Sequence, residues 1–444
     1  MSDTELSGKH ALFELSARPA SLVPPLAVIG LELLLLMIFS YQTELDQSVE
    51  SLLSKLFWHN ATVRPPILLV LIVIGWGVVV RVSRTSGLNI DHVLGGRCMP
   101  PANTYCAALW LLCVVLFAHL VHVVASSTPG LTWRPWLTCN VALHAALLVL
   151  GTMPAPVFFA ESRFSLLRTL HESFIAPLAP VNFWHVIVAD YLTSLAKAFA
   201  DLQSTACITT HILSEPRGTG YTPTSVLWEQ YNAHCADTYA NALMLALPFW
   251  LRLMQCLKVY SVTREKKNLW NALKYSTAFP LVAAGALRKH RPSLKHDRLF
   301  ILCAVVQSSY CYFWDVQMDW GLFVADRTAT CGYRLREPLL VTRKRWVYAL
   351  ICVFNFGLRF IWALSVFNVV PGRGRGMFLL ESVEILRRTV WAIFRIEWEV
   401  VVKVYNASYV TLPLNSPVSG DLDADSRSST AETPTRTGGH KAED

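Results

Sequence analysis

Long apolar segments separated by short polar ones cover most of this 444-residue chain. A hydrocarbon core about 30 Å thick requires roughly 20 mostly apolar residues per helix, so runs of that size mark candidate membrane spans. The pattern therefore predicts an all-α fold, a polytopic transmembrane helix bundle of about ten helices. The predicted spans are Pro24–Ser40, Pro66–Val82, Tyr105–Ala125, Trp136–Met153, Phe183–Thr210, Tyr239–Leu257, Asn271–Leu287, Leu299–Trp320, Trp346–Val370 and Phe378–Val402.

The composition supports a protein that faces lipid. Hydrophobic residues make up 53% of the chain and charged residues only 16%, which is unlike an ordinary soluble domain. No small-residue cleavage site follows the first apolar run, so this run is interpreted as a retained anchor and not as a signal peptide. The tail at 415–444 is rich in Ser, Thr, Asp and Gly without apolar periodicity, and it is expected to be disordered.

The net charge of +8 comes largely from basic residues in short loops beside the apolar segments, which indicates orientation and not nucleic-acid binding. Basic loops at 81–97, 258–267 and 326–345 alternate with loops at 44–64 and 215–237 that are not basic. Both termini are therefore expected in the cytosol. One loop disagrees with this assignment, because 288–298 is strongly basic on the side expected to be luminal.

Two sequons and eleven cysteines add further expectations. Asn60 falls on the luminal side and is expected to accept a glycan, whereas Asn406 falls on the cytosolic side and is not. The cysteines form no CxxC pair and no His/Cys spacing typical of a metal site, so they are expected to be buried free thiols. The sequence predicts no metal, no cofactor and no catalytic residues.

Ionisable residues are concentrated in the last six apolar segments. A charge at the bilayer centre costs roughly 2.5 to 3.5 kcal/mol on insertion scales, so such side chains usually face a protein or water-filled interior. In the eighth segment Asp315 and Asp319 are four residues apart and are expected to point the same way. The fifth segment carries a polar stripe at helical spacing: Asp190, Ser194, Lys197 and Asp201.

Four buried cations are available to one central site. Guanidinium groups match a tetrahedral oxyanion bidentately and a lysine adds a point charge, so the set favours binding of phosphate. Nearby aspartates can hold the cations in the empty site and keep the anion from binding too tightly to leave. The alternative is a set of structural ion pairs between helices. The cations are Lys274, Arg359, Arg387 and Arg388, and the aspartates are Asp190, Asp315 and Asp319.

Other charges receive a different interpretation. Long side chains near helix ends can reach the membrane interface, and this is the expectation for four residues of the sixth and tenth segments. The four residues are Arg252, Arg395, Glu397 and Glu399. Glu32 stands alone in the first segment and is expected to make a local hydrogen bond or to lie near the interface.

Six stretches in the second half carry a resemblance to a known family. Taken together and in this order, they resemble the EXS family of membrane proteins, which includes a retrovirus receptor that exports phosphate. The stretches are Asn182–Trp184 leading to Asp190–Leu195, Pro248–Leu257, Lys274–Thr277, Trp314–Leu322, Leu358–Trp362, and Glu384–Trp391 ending in Phe394–Glu397.

The resemblance implies the EXS fold, with ten helices of which the last six surround a phosphate pathway. It also implies that Trp362 acts near a gate. Thr193 stands where the exporters have an asparagine, which is a departure at an expected anion contact. The implied pathway residues are Asp190, Thr193, Lys274, Tyr275, Asp315, Asp319, Arg359, Arg387 and Arg388.

The N-terminus is the larger departure from the family. Full-length exporters begin with a cytosolic SPX domain that senses inositol pyrophosphates, whereas about twenty residues precede the first apolar segment here. Direct sensing of that kind is expected to be absent. The short architecture is similar to a Golgi branch of the family, whose members are understood to return luminal phosphate from glycosylation to the cytosol.

The sequence thus predicts four regions: a cytosolic segment at 1–22, scaffold helices at 23–180, an EXS transmembrane domain with the phosphate pathway at 181–405, and the cytosolic tail. The leading hypothesis is a transporter of inorganic phosphate in the Golgi membrane. A non-transporting adaptor for glycosyltransferase retention and recycling is the alternative. A membrane enzyme using Asp315 and Asp319 is disfavoured, because no histidine joins them at ligand spacing. Expected partners are phosphate, the lipid bilayer, a second copy in a homodimer, and glycosyltransferase-sorting proteins.

Overall fold

The computed structural model describes residues 21–43, 63–127, 135–153, 159–176, 178–214, 233–329, 332–367, 369 and 375–405. Four expectations lie outside these residues. They are the cytosolic segment up to residue 20, the two sequons at Asn60 and Asn406, and the tail at 415–444.

Four long apolar helices, with one short helix between them, occupy the first part of the chain. The long helices coincide with the first four predicted spans, and α4 packs against α1, α2 and α5. Leu36, Leu116 and Leu120 form one apolar contact between α1 and α4. The helices are α1 (Val23–Thr43), α2 (Arg64–Thr85), α3 (Ile90–Leu94), α4 (Pro101–Ser127) and α5 (Pro135–Thr152).

The remaining elements are helical apart from one small hairpin, and several predicted spans are interrupted. They are α6 (Ala160–Phe174), α7 (Phe183–Ser194), α8 (Ala196–Ser214), α9 (Tyr239–Thr263), α10 (Lys266–Ser276), α11 (Ala278–His290), α12 (Leu294–Trp314), a π-helical turn (Asp315–Asp319), β1 (Phe323–Ala325), β2 (Tyr333–Leu335), α13 (Arg345–Arg359), α14 (Trp362–Val366), α15 (Arg375–Val400) and a second π-helical turn (Val401–Tyr405).

The prediction of a polytopic helical membrane protein is confirmed, and each of the ten predicted segments contains helix. Within the described residues, five helical stretches are long and apolar enough to cross a membrane by length and composition. The other segments are shorter, interrupted or richer in charge. The five stretches are Arg64–Thr85, Pro101–Val121, Tyr239–Thr263, Leu294–Asp319 and Arg345–Val366.

Three predicted spans are broken near their middle, which hydropathy alone does not reveal. The fifth span breaks at Leu195, just after the Thr193 hydroxyl bonds back to the Asp190 carbonyl at 2.7 Å. The seventh breaks at Thr277, where Pro280 has no N–H for the carbonyl four residues earlier. The ninth breaks between α13 and α14. Each break interrupts a helix beside the charged residues described below.

Helix α2 joins the N-terminal helices to α15 through two glycines. A Cβ atom at Gly77 would lie 2.6 Å from Cε1 of Tyr105 on α4, and one at Gly75 would collide with the Thr389 hydroxyl on α15. Because no side chain fits in either place, the backbone of α2 approaches both neighbours closely. α2 is therefore packed tightly between α4 and α15.

The β-hairpin is held against α15 by Glu397. In the hairpin Phe323 pairs with Leu335, and the following residue, Arg336, donates to Glu397 Oε2 at 2.8 Å. Glu397 Oε1 also accepts from the Tyr348 hydroxyl at 2.6 Å. The expectation that Glu397 reaches the membrane interface is wrong, because the polypeptide after the hairpin folds over this end of α15 and buries it.

Arg395 and Glu399, which were also expected to reach the interface, contact each other. They form an ion pair at 2.9 Å, and both are largely buried. The Arg395 guanidinium lies over the Phe183 ring. Glu32 is buried as well, and its Oε2 atom has no hydrogen-bond partner among the described residues.

The expectation of free thiols is wrong for one pair of cysteines. Cys207 on α8 is joined to Cys235 by a disulfide across a separation of 28 residues. The His211 ring lies beside this pair, within 4.8 Å. The disulfide agrees with the luminal position expected for the 215–237 loop, because disulfides persist in oxidising compartments.

Part of the positive charge of the loop at 288–298 is neutralised by aspartates, one of which lies close in sequence to the disulfide. Arg288 Nε donates to Asp297 Oδ1 at 2.6 Å. Lys289 pairs with Asp237, two residues after Cys235, and its Nζ donates to the Ala236 carbonyl at 2.6 Å. Two of the basic residues of this loop are thus paired with nearby aspartates.

Candidate functional site

A cavity of about 230 Å³ lies among the interrupted helices. One water occupies about 30 Å³ in the liquid, so this volume accommodates a tetrahedral oxyanion with several waters. Six of the ten residues expected at the pathway and gate line it, and the other four stand behind its wall. The lining residues are Thr193, Phe249, Lys274, Tyr275, Gln307, Ser308, Cys311, Leu358, Arg359, Ile361, Trp362, Glu384 and Arg388.

The Asp315 carboxylate joins side chains from α13 and α15 on one side of the cavity. Its Oδ2 atom accepts from Arg359 Nε at 3.0 Å and from Arg359 Nη2 at 2.7 Å. The Asn355 amide donates to the same oxygen at 3.0 Å, and Arg387 Nη1 approaches it at 3.4 Å. One carboxylate at the start of the π-helical turn therefore compensates two guanidinium groups, from α13 and from α15.

Arg387 is fully buried behind the wall. It forms a bidentate pair with Glu384 one turn earlier on α15, with Nε–Oε2 at 2.8 Å and Nη2–Oε1 at 2.7 Å. Glu384 itself lines the cavity and also accepts from the Ser194 hydroxyl at 2.8 Å. Arg387 thus positions Glu384, which was quoted in the sequence motif but was not singled out as a site residue.

Arg388 lines the cavity without a carboxylate partner among the described residues. Its Nε donates to Ser194 Oγ at 2.9 Å, and its Nη2 donates to Thr193 Oγ1 at 3.1 Å. The guanidinium carbon lies 4.6 Å from the centre of the Trp391 ring. Neutral hydroxyls and an aromatic face hold this buried cation in place, and they leave its charge uncompensated by direct contact.

Lys274 is the second such cation within the described ranges. Its Nζ lies 4.3 Å from the centre of the Tyr275 ring and 5.4 Å from that of Trp314. The side chain is buried and lines the cavity. Aromatic faces attract a desolvated cation, but more weakly than a carboxylate does. Lys274 and Arg388 are therefore the two cavity cations that are free to pair with an anion.

Arg252 belongs to this cluster, and the expectation that it reaches the interface is wrong. Its Nε donates to Asp190 Oδ1 at 2.9 Å, and the Tyr275 hydroxyl donates to the same oxygen at 2.5 Å. The predicted span ended at Leu257, which placed Arg252 near its end. Helix α9 continues to Thr263, so Arg252 lies nearer its middle and is buried.

Asp315 and Asp319 do not share partners. Asp319 Oδ2 accepts from Trp391 Nε1 at 3.1 Å, and its Oδ1 lies 3.8 Å from Arg395 Nε. The residues between the two aspartates form a π-helical turn, which is wider than an α-helical turn and changes the angle between side chains four apart. Asp319 therefore lies behind the cavity wall, on the Trp391 side.

Trp362 is the first residue of α14 and lines the cavity. Its indole Nε1 donates to Ser308 Oγ at 3.0 Å, and its ring meets Phe300 edge-on at 6.4 Å. The sequence placed Trp362 on the same continuous helix as Arg359. The helix is interrupted between them, yet both side chains reach the same cavity.

The cluster carries an excess of one positive charge when all its groups are ionised. Burying an uncompensated charge is costly, so a net positive cluster around a cavity favours entry of an anion. The cations are Arg252, Lys274, Arg359, Arg387 and Arg388, and the carboxylates are Asp190, Asp315, Asp319 and Glu384.

Comparison with known proteins finds one family and several relatives. The EXS family model matches residues 61–401. A Xenotropic and polytropic retrovirus receptor 1 homolog of Xenopus laevis is 34% identical over 332 residues, which is 71% of this chain and 46% of that protein. Solute carrier family 53 member 1 of Homo sapiens is 30% identical over 330 residues, with the same coverage.

A more distant relative has a name that describes its domains. SPX and EXS domain-containing protein 1 of Dictyostelium discoideum is 27% identical over 340 residues, which is 73% of this chain and 35% of that protein. The chain spans about half the length of the first two of these relatives and about a third of the last.

Proposed function

The chain belongs to the EXS family of membrane proteins, and on that premise we propose that it transports inorganic phosphate across a membrane through the cavity. The observation that carries the proposal is the pair of buried cavity cations, Lys274 and Arg388, which have no carboxylate partner among the described residues. The name of the human relative, a solute carrier, agrees with a transport role.

The chemistry of the lining suits a tetrahedral oxyanion. Arg388 offers a planar guanidinium and Lys274 offers a point charge, while hydroxyls of Thr193, Tyr275 and Ser308 line the same space. An oxyanion can accept charge-assisted hydrogen bonds from the guanidinium and the ammonium, which are the stronger ones, and a further bond from the Ser308 hydroxyl. The protons of the Thr193 and Tyr275 hydroxyls are already donated to Asp190. The neighbouring carboxylates keep the net charge low, which allows the anion to be released again.

The interrupted helices support transport rather than static packing. Helices broken near mid-membrane are typical of transporters, where the exposed helix ends and loosened backbone line the substrate site. Here the breaks at Leu195, at Thr277 and between α13 and α14 lie next to residues that line the cavity. We assign Trp362 to the gate, because its bulky ring lies at one of these breaks.

The proposal extends to direction and compartment. The protein would return phosphate from the Golgi lumen to the cytosol. The disulfide Cys207–Cys235 and the charges of the loops support a luminal location for that end of the bundle.

Phosphate flux into liposomes that contain the purified protein tests the proposal. The comparison is wild type against Arg359→Ala, Arg387→Ala and Arg388→Ala, with Arg345→Ala as the matched control, because Arg345 is exposed and pairs only with Glu337 among the described residues. Losing one cationic group at the site is expected to cost about 2 to 3 kcal/mol, or roughly thirtyfold or more in affinity.

The outcomes separate the two hypotheses. Flux in wild type and in Arg345→Ala, with strong loss in the three site variants at equal amounts of folded protein, supports transport. No flux in wild type overturns the proposal and favours the non-transporting adaptor, whose test is recovery of Golgi glycosyltransferases with the purified chain.

A further inference from the structure

A second charged cluster, buried except for a partly exposed lysine, lies one helical turn from the cavity. Lys197 follows Ser194 by three residues, and Glu381 precedes Glu384 by three residues. Glu384 lines the cavity, and its carboxylate accepts a hydrogen bond from the Ser194 hydroxyl. The second cluster consists of Arg64 at the start of α2, Lys197 and Asp201 on α8, and Glu381 on α15.

The hydrogen bonds in this cluster converge on a single atom. Arg64 Nη2 donates to Asp201 Oδ1 at 2.8 Å, and Lys197 Nζ donates to the same oxygen at 3.2 Å. The other oxygen of Asp201 and both oxygens of Glu381 are buried, with no hydrogen-bond partner among the described residues. Glu381 is only 6% exposed and Asp201 only 1%. Two buried carboxylates thus share a site whose donors serve only one of them.

The charges of the cluster limit which ligand can compensate the buried carboxylate of Glu381. A buried ionised carboxylate without donors is costly, and it is relieved by a cation or by protonation. A metal cation would be repelled by Arg64 and Lys197, which already occupy the cluster. An anion would be repelled by Asp201 and by ionised Glu381. A proton is the remaining ligand, and intramembrane carboxylates are common proton carriers.

We propose that Glu381 is a proton-binding site, and that an anion in the cavity increases its proton occupancy. The charged groups that interact with it electrostatically are Arg64 from α2, and Lys197 and Asp201 from α8. A negative charge nearby favours the protonated form of a carboxyl, and the cavity lies one turn away along α15. Occupancy of the cavity and protonation of Glu381 therefore favour each other. This coupling rests on the proposed function, whereas the proton site itself does not.

Difference infrared spectroscopy of the purified full-length chain tests the proton site without any transport. Wild type is expected to show a buried carboxylic acid band that Glu381→Gln removes and that Glu161→Gln, an exposed control on α6, leaves unchanged. Asp201→Asn removes the neighbouring negative charge, so the pH midpoint of the band moves to lower pH by about one unit or more. If no band responds to either variant in folded protein, the proposal is wrong.

Adding inorganic phosphate to weakly buffered protein with a pH indicator tests the coupling. After subtraction of a protein-free blank, wild type and Glu161→Gln are expected to take up protons with phosphate, and Glu381→Gln to lose most of this uptake. Phosphate binding is measured in parallel by calorimetry. Binding without uptake in wild type overturns the coupling alone. Absence of binding overturns the proposed function, while the infrared result still decides the proton site.

Discussion

Asp315→Asn tests whether a bound anion can replace Asp315 as the negative charge beside the buried arginines. The substitution keeps the size of the side chain but removes the negative charge that compensates Arg359 and Arg387. Breaking a buried ion pair by removing one partner typically costs 3 to 5 kcal/mol. We expect a value near the lower end, about 3 kcal/mol, because Arg387 retains its bidentate pair with Glu384 and the asparagine oxygen can still accept one bond.

Phosphate should recover part of that loss, because the anion supplies the missing negative charge. Each 1.4 kcal/mol recovered corresponds to a tenfold gain in affinity, so Asp315→Asn is expected to bind phosphate about tenfold more tightly than wild type. Tighter binding slows release, so flux at saturating phosphate should fall. Arg388→Ala should change affinity in the opposite direction.

The assay is the rise in thermal stability with phosphate concentration, which reports binding to the folded state. Asp297→Asn is the control, because Asp297 is exposed and pairs with Arg288 outside the cavity. A larger phosphate-dependent rise in Asp315→Asn than in wild type and control is expected. An equal or smaller rise would refute the idea that Asp315 and the anion compete for the same cations.

Three further predictions concern the gate, the disulfide and the orientation. Trp362→Ala should leave phosphate binding nearly intact and raise leak of phosphate and sulfate per folded molecule, measured in liposomes; unchanged flux per folded molecule would remove Trp362 from the gate. Cys207→Ser should lower the free energy of unfolding by about 3 to 4 kcal/mol, from the length of the loop it closes; urea denaturation measures this, and a variant as stable as wild type would contradict it. In a eukaryotic host Asn60 should carry a glycan and Asn406 should not, as read from gel shifts of Asn→Gln variants; a glycan on Asn406 would overturn the ten-helix topology.

Hydropathy located the helical segments but not their interruptions. A window of about twenty residues averages over the turn at Leu195 and the turn at Thr277, whose causes are a local hydroxyl bond and a proline. The interruption at Leu195 also separates the polar stripe of the fifth segment. Asp190 therefore faces Arg252, whereas Asp201 faces Arg64 in a different cluster.

The cost of burying charge pointed to most of the residues around the cavity. Lys274, Arg359 and Arg388 were singled out because they are cations within apolar segments, and all three line the cavity. It missed Arg252 because the end of α9 was placed six residues too early, as Leu257 instead of Thr263. It missed the role of Glu397 because only the tertiary fold shows the polypeptide after the hairpin covering that residue.

Local sequence patterns did not predict contacts between distant parts of the chain. The sulfur atoms of Cys207 and Cys235 are joined across 28 residues, and nothing in their immediate neighbours marks the pair. The π-helical turn after Trp314 likewise leaves no sequence signal, although it decides which side of the cavity wall Asp319 occupies.

The close approach of α2 to α15 at Gly75 limits how the protein can move. The Thr389 side chain packs against Gly75, and Thr389 lies one residue after Arg388 and eight after Glu381. The helix that carries residues of both charged clusters is therefore in tight contact with the first half of the chain. Helices α2 and α15 should therefore behave as one rigid body during a transport cycle. If the helices move relative to one another, the interrupted ones, α13 with α14 and those broken at Leu195 and Thr277, are then the ones expected to bend. Larger residues at Gly75 would push α2 away from Thr389 and should weaken the coupling between the two helices.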